Sequence, residues 1–362
     1  MGTLGGLDGW NIYEMKIRGK GKTALPEEGE SMALIEAEHL VKEYKRKIPR
    51  EGMKGALYHM FHPEYETFKA VNDISFSVEE GEAVGYIGPN GSGKSTTIKM
   101  LTGILTPTAG TIRVNGRIPT KERIKNNRDI GVVTGNRSLL FWDVPVIESF
   151  KLFQKMYEIP DAVYRDNLEK FTELLGLVPL LSLPERQLSL GQKMRCNITA
   201  AFLHDPKIVY LDEPTIGLDT SSKNRIRSFI RQVNEEKKTT FIITSHDFRD
   251  IEALCKRIIL INHGKKIVDD QIENVRKEFE RYKNIRFEVE DNWKLKTGGY
   301  FMPGVKLSFE DHYYVDAEYE LEKTEAKMVI DFVSQYCQIK DISITGRAIE
   351  AIIEDILTTE EK

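Results

Sequence analysis

The nine residues GPNGSGKST, Gly88–Thr96, limit the fold of this chain more than any other feature of its 362 residues. They follow the apolar run AVGYIG (83–88) and precede the helical stretch TIKMLTGIL, so a glycine-rich turn joins a buried strand to a helix. That setting is what distinguishes a phosphate-holding loop from an ordinary turn. Gly88, Gly91 and Gly93 let successive backbone N–H groups wrap around phosphate oxygens, where a side chain would block the approach. Pro89, Asn90, Ser92 and Thr96 complete the loop, and the helix behind it turns its positive dipole end toward the anion. Lys94 is predicted to place a point charge on the β- and γ-phosphates of a nucleotide, and the Ser95 hydroxyl to ligate Mg²⁺.

Such a loop requires a parallel sheet beneath it. The runs IGVVT (130–134), KIVYLD (207–212) and TTFIITS (239–245) read as further buried strands, alternating with helical stretches in an α/β pattern. A long, mostly helical block over about 137–204 interrupts the sheet and is expected to form an inserted helical subdomain. After about 268 the pattern shifts to charged alternating strands and two helices, predicting a C-terminal α+β accessory domain over 269–362. Residues 1–31 are glycine-rich, lack the apolar core of a signal peptide, and read as a loose tail before a main domain at 32–268.

Composition narrows the partners. With 52 Lys+Arg against 56 Asp+Glu the net charge is -4, which disfavours bulk attraction to nucleic acid, and no nucleic-acid partner is expected. Cys196, Cys255 and Cys337 are too scattered for a disulfide framework or a zinc site, which suits a reducing cytoplasm. No apolar run approaches the ~18 residues of a membrane span.

Beyond the loop, KIVYLDEPT ends in Asp212 and Glu213, at the strand end where open α/β sheets bind ligands. Asp212 is predicted to hold Mg²⁺, and Glu213 to accept a proton from the water that attacks the γ-phosphate. FIITSHD ends in His246, either an incidental strand-end histidine or a γ-phosphate sensor. LSLGQKMR, Leu188–Arg195, poses a puzzle, because it looks like a second phosphate loop about a hundred residues after the first. Either Ser189 simply caps a helix, or this segment serves a different pocket.

Taken in order, GPNGSGKST, LSLGQ, VYLDEP, GLD and SHD over about residues 32–265 resemble the ATP-binding subunits of ABC transporters. The resemblance implies a P-loop NTPase (RecA-like) core and ATPase activity. It favours the second pocket: two subunits pack head to tail, with Ser189, Gly191 and Gln192 of one closing over the γ-phosphate held by the other. ATP then glues a homodimer, with Asp219 at its seam. Tyr44 in LVKEYKR matches the position that stacks on adenine, a plain surface tyrosine being the alternative. Two departures stand out: position 190 is Leu where the family usually has Gly, and Asn136 stands where the family places a Gln reaching Mg²⁺ and the attacking water.

The same resemblance implies integral-membrane permease subunits as separate chains, docking beside the Asn136 loop, and a peripheral location on the cytoplasmic face of the cell membrane. The C-terminal domain and the basic segment KRKIPREGMKGALYHMFHPEYETF look like an export-type group. That segment either covers a sheet edge or lies on a membrane surface or partner. The C-terminal domain carries no motif, so dimer contact and regulation are equally open roles. A soluble ABC-type ATPase without a permease is the rival reading.

Overall fold

The computed structural model describes residues 33–47, 65–135, 137–245, 247–278, 282–346 and 349–360. The expected tail, most of the basic segment, Asn136 and His246 lie outside the described residues. The chain forms two compact units that meet in sequence at Glu278 and Phe279.

Elements are numbered in chain order. The first unit is built on a six-stranded sheet in the order β5-β6-β7-β3-β8-β9. Its members are β3 (Ala83–Ile87), β5 (Ile130–Thr134), β6 (Ile208–Asp212), β7 (Thr240–Thr244), β8 (Arg257–Asn262) and β9 (Lys265–Gln271). All adjacent pairs are parallel except β8–β9. Strands β3, β6 and β7 are buried almost throughout, as parallel strands covered on both faces must be. Their order sets the carboxyl ends of β3, β6 and β7 side by side, and Asp212 lies opposite Thr244.

A second, antiparallel sheet of β1 (Ile35–Lys47), β2 (Tyr65–Val78) and β4 (Ala109–Val114) was not apparent from the apolar runs. Ile35, Leu40, Ile74 and Ile112 from it share one core with Val84, Tyr86, Tyr210 and Ile259 of the large sheet and with Ile98 and Leu101 of α1 (Lys94–Leu101).

After α2 (Arg123–Asp129), the stretch between β5 and β6 is helical: α3 (Val146–Met156), α4 (Asp161–Leu174) and α5 (Leu190–Phe202). Phe171 of α4, Phe202 of α5 and Phe229 of α6 (Thr220–Lys237) meet edge to face, with Phe229 centroids 5.2 and 5.1 Å from the other two. Such contacts add about 0.5–1.5 kcal/mol each beyond their burial and hold the helical stretch to the main fold. Helix α7 (Phe248–Leu254) follows β7, and α8 (Ile272–Glu278) closes the unit.

The expected domain boundary at 268/269 falls inside β9 and is corrected to 278/279. Strand β9 pairs antiparallel with β8 through a turn at His263 and Gly264, both with positive φ, the conformation tight hairpins require. Its sequence KKIVDDQ is charged because an edge strand protects itself that way, and this charge mimicked the start of a new domain.

The second unit has β10 (Tyr282–Val289), α9 (Trp293–Thr297), β11 (Val305–Ser308), β12 (Tyr314–Glu320), α10 (Ala326–Ser334), β13 (Ile339–Gly346) and α11 (Ile349–Glu360). The antiparallel order β11-β12-β10-β13 is a ferredoxin-like split βαβ arrangement. Alternate residues Ile285, Phe287, Val289, Val315, Ala317 and Tyr319 face Val329 and Val333 of α10 in its core.

Candidate active site

The loop between β3 and α1 fits only glycine at its two ends. A Cβ on Gly88 would fall 2.1 Å from the Ile261 carbonyl oxygen, and one on Gly93 2.4 Å from that of Ala70. Gly91 and Gly93 have φ of 81° and 110°. The loop is thus wedged between β2 and β8. Helix α1 begins without a side-chain cap, which leaves its first N–H groups to an external anion.

Lys94, 7% exposed, folds back so that Nζ donates to the carbonyls of Gly88 at 2.6 Å and Pro89 at 3.0 Å. Burial pushes its pKa below the ordinary lysine value, while the carboxylates of Glu213 and Asp212 oppose the shift. A cation that is partly desolvated and near two carboxylates is poised to exchange carbonyl partners for phosphate oxygens.

At the end of β6, Asp212 accepts from Thr244 Oγ1 at 2.6 Å on one oxygen and from Ser95 Oγ at 3.2 Å on the other. The parallel register therefore joins two of the three predicted Mg²⁺ ligands across 117 positions of sequence, the third, Asn136, lying outside the described residues. An all-oxygen pair of one hydroxyl and one carboxylate fits a hard cation that takes its remaining ligands from phosphate and water. Among the described residues no cluster of three or more His, Cys, Asp or Glu offers a metal cage.

Glu213 has φ 57°, a left-handed conformation that costs a non-glycine residue on the order of 1–3 kcal/mol. Its N–H donates to the backbone oxygen and to the hydroxyl of Thr244, each at 3.1 Å, and this holds the strained turn in place. Gly135 N donates to Asp212 O at 2.8 Å, and a Cβ on Gly135 would stand 2.8 Å from Glu213 O. The chain entering Asn136 thus passes directly against the acidic pair.

Ser189 caps α5 in a reciprocal capping box: its Oγ accepts from Gln192 N at 3.3 Å, and Gln192 Oε1 accepts from Ser189 N at 2.8 Å. The S-x-x-Q spacing that produces this box was readable in LSLGQ. Ser189 is exposed, and Leu190 is 49% exposed. Gly191 is buried, and a Cβ there would meet Ser222 Oγ at 2.6 Å. Asp219 caps α6, its two oxygens accepting from Ser222 N at 2.9 Å and Ser222 Oγ at 2.7 Å, and these bonds hold its carboxyl below the usual carboxylate range. The structure therefore brings Gly191 and Asp219 together through Ser222. Among the described residues no hydrogen bond or ion pair joins Ser189, Gly191 or Gln192 to Gly88–Thr96.

Tyr44, on β1, stacks on Phe68 of β2 at 5.8 Å and 23°, and Lys42 Nζ lies 5.5 Å from its ring. Phe68 and Thr244 went unnoticed in the sequence because each gains its place only by strand pairing, Tyr44 opposite Phe68 and Asp212 opposite Thr244.

Residues 71–216 match the family model described as ABC transporter. The chain is 30% identical over 282 residues to the uncharacterized ABC transporter ATP-binding protein YhcH of Bacillus subtilis, covering 77% of this chain and 88% of YhcH. It is 37% identical over 197 residues to the linearmycin resistance ATP-binding protein LnrL of the same organism, covering 54% of this chain and 63% of LnrL. The fold is shared with the dimeric, post-hydrolysis ATP-binding cassette MJ0796 bound to ADP and Pi, at TM-score 0.54 and 24% identity, over 66% of this chain and 98% of that one.

Proposed function

Since this chain belongs to the family of ABC transporter ATP-binding proteins, whose cassettes are ATPases, we propose that it powers an exporter by closing as a head-to-tail homodimer around ATP. One observation carries the reading. The cradle residues are gathered within one chain, whereas Ser189 and Leu190 stand exposed, next to the Gly191 that packs by Asp219, and among the described residues Ser189, Gly191 and Gln192 make no hydrogen bond or ion pair to that cradle. A lid without a pocket in its own chain fits the pocket of a second copy.

In that dimer the backbone N–H groups of Gly88–Ser95 and the Lys94 ammonium bind the β- and γ-phosphates, Lys94 releasing the Gly88 and Pro89 carbonyls as it does so. Ser95 and Asp212 would hold Mg²⁺, whose charge would offset that developing on the phosphates. Glu213 accepts the proton of the attacking water. His246 senses the γ-phosphate, and Asn136, with its shorter amide, reaches the water through an intervening solvent molecule. Tyr44, backed by Phe68, stacks on adenine. The capping box leaves the N–H groups of Leu190 and Gly191 without intrahelical partners, and these face the γ-phosphate of the partner copy.

Membrane coupling runs through separate permease subunits, which place the chain peripherally on the cytoplasmic face. No described helix is long and apolar enough to cross a membrane. Soon after Asn136, Phe141, Trp142 (60% exposed) and Val144 form an apolar surface suited to a permease loop. Export is supported by LnrL, whose name assigns it to resistance, a task that outward transport performs.

Glu213→Gln tests the dimer: with ATP it elutes from a sizing column as a dimer and turns over at least ~100-fold more slowly. A variant that stays monomeric and hydrolyses normally overturns the mechanism. Co-purification from membranes with apolar partner chains, and substrate movement out of cells rather than in, test the transport reading against a soluble ATPase and against import.

A further inference from the structure

Glu213 and Ser245 both lie in loops that follow strands of the large sheet, and one buried carboxylate is bonded to both loops. Thr215, two positions after Glu213 and 2% exposed, donates its hydroxyl to Asp250 Oδ2. The same oxygen accepts from Ser245 Oγ at 3.2 Å, and Ser245 directly precedes His246. Ser245 Oγ also accepts from Asp247 N at 3.0 Å, which anchors the far side of that loop. The other carboxylate oxygen, Oδ1, accepts from Arg227 Nε at 2.6 Å, on the helix whose N-terminus Asp219 caps. Asp250 is fully buried, and every donor it has comes from a segment that the proposed function uses.

We propose that Asp250 is a positioning residue for ATP hydrolysis, setting the spacing of the Glu213 and His246 loops through Thr215 and Ser245 and tying both, through Arg227, to the helix at the dimer seam. The inference rests on the function proposed above. Its physical basis is directionality. Apolar packing would fill the same volume but tolerate sliding, whereas hydroxyl-to-carboxylate bonds fix both loops to one point. Misplacing a reacting group by ~1 Å costs on the order of 100-fold in rate.

The test uses the full chain carrying Thr215→Val, which keeps the side-chain volume and leaves the Asp250–Arg227 pair intact. The expected result is a kcat about 10-fold lower with KM for ATP unchanged, alongside an unfolding temperature lowered by only the few degrees that one lost buried hydrogen bond explains. Hydrogen exchange is expected to quicken in peptides covering 213–218 and 244–248, and Thr215→Ser to restore both readouts. Wild-type kcat with wild-type exchange overturns the proposal. So does a uniform loss of thermal stability with kcat and KM affected alike, which would make Asp250 a fold anchor only. If no form of the chain hydrolyses ATP, the functional reading fails, while the exchange data still decide whether Asp250 couples the two loops.

Discussion

The phosphate loop and the segment at Ser189 are both glycine-bearing entries to a helix, yet they are built in opposite ways. Helix α1 starts with no side-chain cap and a buried lysine folded over its loop, so its end is left to an external anion. Helix α5 starts with a side-chain capping box, in which Ser189 and Gln192 satisfy each other's N–H groups and the serine stays exposed. One end is a pocket and the other a surface. A pocket does its work within one chain, while a surface needs something to close upon, and the contrast between the two makes a shared site between copies the economical reading of both.

Replacing the cradle's cation should have the largest effect. Lys94→Met is expected to lower ATP turnover by about 100-fold or more and to weaken nucleotide binding by the isolated chain, measured by steady-state hydrolysis and fluorescent-nucleotide titration. Ser189→Ala should separate the two regions. It is expected to leave nucleotide binding by a single chain unchanged while cutting dimer formation and turnover roughly 10-fold, with about 1 kcal/mol of stability lost with the cap. Weakened binding to the monomer would place both segments in one pocket and break the comparison.

A pH series sharpens the cradle side. Burial lowers the pKa of Lys94 in the folded chain, so the folded state binds this proton less tightly than the unfolded state. Below the folded pKa the buried charge costs stability, and that cost fades as pH rises toward the ordinary lysine value. Nucleotide-free Lys94→Met is therefore expected to melt higher than wild type at neutral pH, with the gain shrinking in alkali, as scanning calorimetry would show. The smallest effect concerns Leu190, whose side chain lies close to Gly217 on the exposed surface. Leu190→Gly should allow closer approach to a partner's phosphate and tighten the ATP-dependent dimer a few-fold in analytical ultracentrifugation.

Much of the site was legible in the sequence because its parts are local. A phosphate loop is a run of adjacent residues whose glycines, lysine and serine each answer to a nearby backbone demand. The Ser189 cap likewise depends on residues within one helical turn. Phe68, Thr244 and Asp250 were not legible, since each acquires its role from a residue 24 to 35 positions away in sequence that strand pairing or loop packing brings close. The boundary at 278 was missed for a related reason: the charge of β9 reflects its place at a sheet edge, which no local pattern reveals.

By itself the sequence determined that this chain binds nucleotide phosphate on a parallel α/β sheet, because strand, glycine loop and helix start are set by neighbours in the chain. Only the tertiary structure decided that Ser95 meets Asp212, that Gly191 packs on the helix capped by Asp219, and that one aspartate accepts from both Thr215 and Ser245. Those meetings depend on sheet order and register, which arise from burying apolar faces over the whole unit rather than from any short stretch of residues.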